Sequence, residues 1–165
     1  MWMPLLAFAM TSPSALTVSS AAFEDGASIP ARFSCSGADI SPELSWSAGP
    51  SGTKSYALIM DDPDAPSGTF VHWVLYNLKA GDPSGRVTLS EGASGAALEG
   101  QNGFGKSGYG GPCPPPGKPH HYRFHIYALN RELDGLGPAA TADQLRAAFK
   151  GSVLGEGTLT GTFKR

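Results

Sequence analysis

Two stretches of this sequence put acids and imidazoles on stiff backbone. The first is Asp61-Asp62-Pro63-Asp64-Ala65-Pro66, followed shortly by His72-Trp73. The second is Tyr109-Gly110-Gly111-Pro112-Cys113-Pro114-Pro115-Pro116-Gly117, followed by His120-His121-Tyr122. Pro63 and Pro66 fix φ and stiffen the first loop. Asp62 directly follows an apolar run, so its carboxylate should lie at a sheet edge where His72 can approach from the neighbouring strand. A carboxylate beside an imidazole stabilises its cationic form and fixes the ring. In the second stretch, Gly110-Gly111 should let backbone approach a ligand with its amides free, and Pro114-Pro115-Pro116 makes a wall without donors. His120 and Tyr122 alternate onto one face and can share a pocket with His72, whereas His121 points away. An acid, two imidazoles, a phenol and loop amides suit a small anion such as a phosphate or carboxylate head group.

Competing readings attach to the same residues. Asp62 and Asp64 can simply cap turns, and a single histidine on a strand face is often structural. Asp62, His72 and His120 could imitate a two-His-one-carboxylate metal site, but the spacing carries no metal signature, and we expect no metal and no cofactor. Gly100-Gln101-Asn102-Gly103-Phe104-Gly105-Lys106-Ser107 matches the phosphate-loop pattern of nucleotide hydrolases letter for letter. Its context fails, because no buried strand precedes it and Gly108, Gly110, Gly111 and Pro112 cannot continue as a helix. No serine or cysteine sits in a nucleophile elbow, so a hydrolase is the weaker alternative to a binding protein.

The elements that must position these residues are mostly strands. Tyr56-Ala57-Leu58-Ile59-Met60, within Lys54–Met60, is a continuous apolar run that suits a strand buried on both faces. Phe70–Leu78 is rich in aromatic and β-branched residues. With period two, Phe70, His72, Val74 and Tyr76 share one face, and Val71, Trp73 and Leu75 the other. His121–Leu129 is a further strand, its inner face carrying Tyr122, Phe124 and Ile126. Leu16–Phe23, Arg32–Cys35, Leu44–Trp46 and Gly157–Phe163 also read as extended. Residues 81–111 form a long Gly-rich connection with short strands near Arg86–Leu89 and Ala97–Glu99. One helix is expected: Thr141 and Gln144 fit a capping box, Leu145, Ala148 and Phe149 form an apolar stripe, and Gly151 is a stop.

The 165 residues fit one domain, and a formal net charge of −2 with no Lys/Arg cluster gives no basis for nucleic-acid binding or bulk attraction to anionic membrane. No stretch is long enough to span a bilayer. Met1–Met10 is apolar but lacks a preceding basic residue, which favours a cytoplasmic protein over an exported, periplasmic one; residues 1–14 are a disordered or targeting segment. Cys35 and Cys113 read first as reduced thiols, with a disulfide tying the N-terminal region to the Pro-rich loop as the alternative.

These segments resemble the signature regions of the phosphatidylethanolamine-binding protein (PEBP) family, nearest its small bacterial and archaeal branch, the YbhB/YbcL or Raf-kinase-inhibitor-like proteins. Ala22-Phe23-Glu24-Asp25-Gly26, Ile40–Trp46, Asp61–Pro66, His72-Trp73-Val74, Gly103-Phe104-Gly105, Gly108–Gly117 and Tyr127-Ala128-Leu129 carry the likeness over nearly the whole chain. It implies a single PEBP-like domain over residues 1–165, mainly β: an antiparallel β-sandwich with one or two peripheral helices. It implies an anion pocket lined by Asp62, His72, His120 and Tyr122, with Gly111, Pro114 and Pro115 at the rim and with Asp64 and Pro66 shaping the loop. The family usually has His-Arg-Tyr where this chain has His120-His121-Tyr122; position 121 faces away, so the pocket should survive. The resulting expectation is a non-enzymatic binding protein for phosphate or a phospholipid head group, with regulation of a protein partner and a homodimer left open. Its alternative is a protease or kinase inhibitor. The kinase-contact features of animal members have no counterpart here.

Overall fold

A computed structural model of the chain describes residues 11–82, 85–93, 95 and 97–165. Met1–Met10, the stretch weighed as a targeting segment, lies outside them. Nine strands are described: β1 (Ser14–Ala15), β2 (Val18–Ser19), β3 (Leu44–Ser47), β4 (Ser55–Asp62), β5 (Phe70–Lys79), β6 (Arg86–Leu89), β7 (Leu98–Glu99), β8 (His120–Leu129) and β9 (Val153–Phe163), with one helix, α1 (Ala142–Phe149). They form a six-stranded sheet in the order β1-β9-β8-β4-β5-β7 and a three-stranded sheet in the order β2-β3-β6.

β4 is buried along its whole length because β5 and β8 flank it and both of its faces are covered. Tyr56, Leu58 and Met60 enter the core shared with Leu44 and Trp46 of the small sheet. Ala57 and Ile59 enter a second core with Leu145 and Phe149 of α1. Each fully buried large apolar side chain of this kind contributes about 2 kcal/mol, so the central strand is held from both sides. The helix begins as its sequence predicts. Thr141 Oγ1 accepts the Gln144 N–H, and the Gln144 side chain accepts the Thr141 N–H. Gly151 takes φ +80° just after the helix.

The expected mainly β sandwich is observed with one added detail, and two strand expectations are corrected. The sandwich is antiparallel except at one edge, where β1 runs parallel to β9. The expected strand Leu16–Phe23 is instead divided: β1 joins the large sheet and β2 pairs with β3 of the small one, the buried Leu16 lying between them. Arg32–Cys35 is not extended. Ala31–Phe33 is a 3-10 turn entered from Pro30, closed by Phe33 N–H to Pro30 O (3.0 Å) and Ser34 N–H to Ala31 O (3.1 Å). A four-residue run is too short for its periodicity to tell a turn from a strand.

Candidate functional site

The β4–β5 pairing slips where the chemistry begins. Met60 faces Trp73, but the next residue, Asp61, faces Val71, so His72 is the extra residue of a β-bulge. A bulge re-aims a side chain and breaks strict alternation. His72 therefore shares its side of the sheet with Trp73 and Leu75, whereas Val74 and Tyr76 turn toward α1. The expected common face of Phe70, His72, Val74 and Tyr76 holds only for Phe70 and His72. β8 keeps a regular register with β4 and β9 here. His120 and Tyr122 therefore fall on the side of the inter-sheet core, as their spacing predicts.

Asp62, His72, His120 and Tyr122 consequently line one cavity of about 150 Å³, with Ala65, Pro66, Phe70, Phe104, Cys113, Pro114 and Pro115. The hydrogen bonds inside it differ from the expected ones. His72 Nδ1 lies 2.7 Å from Gly110 O; a carbonyl only accepts, so Nδ1 carries the proton and Nε2 is left for the cavity. Asp62 pairs with His120 rather than His72: His120 Nδ1 lies 2.7 Å from Asp62 Oδ2, and Asp62 Oδ1 accepts the Asp64 N–H at 2.8 Å. The reason is register. Phe70, not His72, stands opposite Asp62. Burial holds the His72 imidazole below the usual histidine range, against the opposing pull of the Gly110 carbonyl and the Asp62 charge.

Tyr122 is the unusual member. It is fully buried, and its hydroxyl makes no hydrogen bond of ordinary geometry. Burial first, and the Asp62 charge second, push its phenol up, so it stays a neutral O–H donor. A buried polar group left wholly unpaired costs roughly 1–3 kcal/mol; this hydroxyl lies close to Asp62 and belongs to a side chain that lines the cavity.

The Gly-Gly turn has a different use from the one expected. The Gly110 N–H is donated to His72 O and the Gly111 N–H to Asp39 Oδ1, so neither amide is free. A Cβ at Gly110 would sit 2.6 Å from the Phe104 ring, and one at Gly111 would sit 2.4 Å from Phe33 O. Backbone packing therefore requires Gly111, whereas Gly110 makes room for the Phe104 ring. Gly111 faces a neighbouring cavity of about 260 Å³ on the far side of Phe104 and Cys113, not the rim of the first. Pro114 and Pro115 do form a wall. Cys35 and Cys113 are joined in a disulfide, with Cα atoms 5.4 Å apart, which corrects the reading of two reduced thiols. Closing a loop across 78 residues stabilises the chain by about 4 kcal/mol in the entropic account.

The sequence pattern of the family described as "Phosphatidylethanolamine-binding protein" matches residues 19–164. The chain belongs to this family. It is 43% identical over 157 residues to a UPF0098 protein of Aquifex aeolicus, covering 91% of this chain and 89% of that one. Its fold is similar to the crystal structure of the PEBP homologue CT736 from Chlamydia trachomatis, with TM-score 0.84, 38% identity, and coverage of 92% of this chain and 99% of that one. It is also similar to E. coli YbcL, described as a member of the mammalian PEBP family, with TM-score 0.82, 30% identity, and coverage of 91% and 98%. Family membership supports a binding-protein role. Among the described residues no helix is long and apolar enough to cross a membrane.

Two aromatic residues that the expected site did not include complete the cavity. Phe70 packs on His72 (centroids 5.0 Å apart) and on Phe104 (4.8 Å). Phe104 is 47% exposed at the mouth. Its loop is the phosphate-loop look-alike, which winds around one side chain: Asn102 Oδ1 accepts the N–H groups of Phe104 and Lys106, and Asn102 Nδ2 donates to Gly108 O. A lone aromatic between two glycines was the available signal. The remaining acids point elsewhere. Asp64 accepts both the backbone N–H and Nδ1 of His121, which ties the Asp/Pro loop to the start of β8 outside the cavity. Asp61 faces the other side of the sheet, where it meets Arg123 at 2.7 Å and His125 at 3.3 Å. Burial works to raise that carboxyl, but hydrogen bonds from His125 and Arg123 outweigh it and hold it below the usual range.

Proposed function

We propose that this is a non-enzymatic binding protein whose cavity takes a small anionic head group, inorganic phosphate or a phosphate monoester. The observation that carries the reading is the Tyr122 hydroxyl: a buried neutral donor close to Asp62 that makes no hydrogen bond of ordinary geometry, beside two imidazoles whose Nδ1 atoms are already engaged. Size supports a head group alone. Sites for drug-sized ligands run roughly 300–1,000 Å³, and this cavity holds about 150 Å³. Any acyl chain would remain outside, against Phe104 and the exposed Pro115.

Proton bookkeeping sets the behaviour. With neutral rings, each Nε2 offers a lone pair, and Tyr122 alone donates. The phosphate monoanion brings its own O–H, which an Nε2 lone pair accepts, whereas burial makes the His72 ring resist a proton. Affinity therefore rises as pH falls below 7. Titration of the full chain with inorganic phosphate, followed by calorimetry at pH 6 and pH 8, tests this. The expected result is tighter binding at pH 6 that weakens in both His72→Ala and His120→Ala. Equal affinity in the two variants and the parent counts against the proposal. Turnover of generic phosphoesters that disappears in Asp62→Asn would replace it with a hydrolase.

A further inference from the structure

We propose that the Cys35–Cys113 bridge is a thiol-exchange site, with Cys113 as the leaving sulfur, and that its redox state sets one wall of the cavity. Three observations meet at this bridge. Cys35 is exposed, whereas Cys113 is half-buried and lines both the 150 Å³ cavity and its 260 Å³ neighbour. The Arg165 guanidinium lies 3.4 Å from Cys113 Sγ and 3.9 Å from Cys35 Sγ. The Pro-rich loop that carries Cys113 is otherwise joined to the 3-10 turn region by Cys35 N–H to Pro112 O, Gly111 N–H to Asp39, and Tyr109 O–H to Phe33 O.

These positions choose the direction of attack. An incoming thiolate attacks the sulfur of Cys35, the exposed residue of the two. The new S–S bond forms there as the Cys35–Cys113 bond breaks, and the electron pair leaves on Cys113. A cation lowers the pKa of the thiol beside it, and the lower-pKa thiol leaves faster; Arg165 is nearer Cys113. With a small dithiol as reductant, its second thiolate then displaces Cys35. The dithiol is oxidised to a disulfide, and its two protons end on, or exchange with, the two cysteine sulfurs. The cavity wall then carries a Cys113 thiolate or thiol in place of a tether. The surviving backbone bonds keep the loop docked but let it shift, and a thiolate there opposes an anion in the cavity.

The test uses the full oxidised chain, limiting glutathione and iodoacetamide trapping, read by peptide mass spectrometry. Glutathione is expected on Cys35 with the alkyl label on Cys113. Arg165→Gln is expected to slow exchange by about threefold or more, because an exposed cation next to the leaving sulfur is lost; Lys164→Gln, matched in charge, leaves the rate unchanged. Complete reduction with dithiothreitol should move the imidazole NMR signals of His72 and His120 and spare those of His125, which faces the opposite side of the sheet. Glutathione mainly on Cys113, an unchanged rate in Arg165→Gln, unmoved His72 and His120 signals, or no reaction without denaturant would each overturn the proposal. None of these readouts involves phosphate, so a protein that fails to bind phosphate would refute the preceding section and leave this one standing.

Discussion

Two carboxylate–imidazole pairs stand side by side at the start of β8: His120 with Asp62, and His121 with Asp64. Both are made at 2.7 Å. The side chains of the first pair are 13% and 5% exposed, and those of the second 57% and 41%. Period-two alternation accounts for the difference, since one residue along a strand is enough to exchange a cavity for solvent. Distance is therefore a poor guide to what each pair does. Water screens the outer pair, and exposed ion pairs are worth roughly 0–1 kcal/mol. The inner pair is largely shielded from water, so an abandoned partner is rehydrated less readily.

The sharpest way to break this comparison is to remove both acids, one at a time. Asp62→Ala should cost about 3 kcal/mol, the lower end for breaking a buried pair, because it strands His120 and frees the Asp64 N–H. Urea unfolding measures this, and a loss below about 1 kcal/mol would make the two pairs equivalent. Acidification acts next, through the other cavity imidazole. Burial depresses the native His72 pKa, so the unfolded chain takes up a proton first. The associated stability is complete above the ordinary value near 6.5 and is lost as pH falls from there toward the depressed native value. His72→Gln should flatten that part of the stability–pH curve. Tyr122→Phe has the opposite sign. It removes a buried hydroxyl that makes no hydrogen bond of ordinary geometry, so the free protein should gain up to about 1 kcal/mol while phosphate affinity drops roughly tenfold, equivalent to about 1.4 kcal/mol. A stability loss in this variant would show that the hydroxyl is already satisfied. The smallest effect belongs to Asp64→Ala: about 0.5 kcal/mol, with phosphate affinity unchanged. The His121 hydrogen bonds hold the Asp64 carboxyl below its usual range, so this contribution is present above about pH 3.8 and disappears as pH falls below it.

What could be read from the residue order was periodic. β4 as a strand buried on both sides, the inward face of β8 and the capping box of α1 all follow from spacing and end signals, whereas the meeting of Asp62, His72, His120 and Tyr122 is what the family resemblance implies. What could not be read was set by contacts between distant segments. The bulge at His72 exists only in the pairing of β5 with β4, and it decides which side of the sheet His72 shares. Gly110 and Gly111 look like ligand-facing glycines until Phe104 and the 3-10 turn are placed on them. The bridge between Cys35 and Cys113 depends on a separation across 78 residues that local pattern does not encode. The PEBP likeness named the motif residues, Phe104 among them, but that Phe70 and Phe104 wall the cavity emerged only from packing.

The strand order has a consequence for the birth of the protein. β4 lies between β5 and β8, and Asp62 meets a histidine 58 positions further along the chain. On the ribosome, an emerging chain can pair β4 with β5 early, but the cavity has no floor until Tyr122 has cleared the exit tunnel. Contacts this far apart slow folding, because loop entropy is lost before they form. Ligand capture should therefore be among the last properties a newly made molecule acquires, and among the first to vanish when β8 detaches.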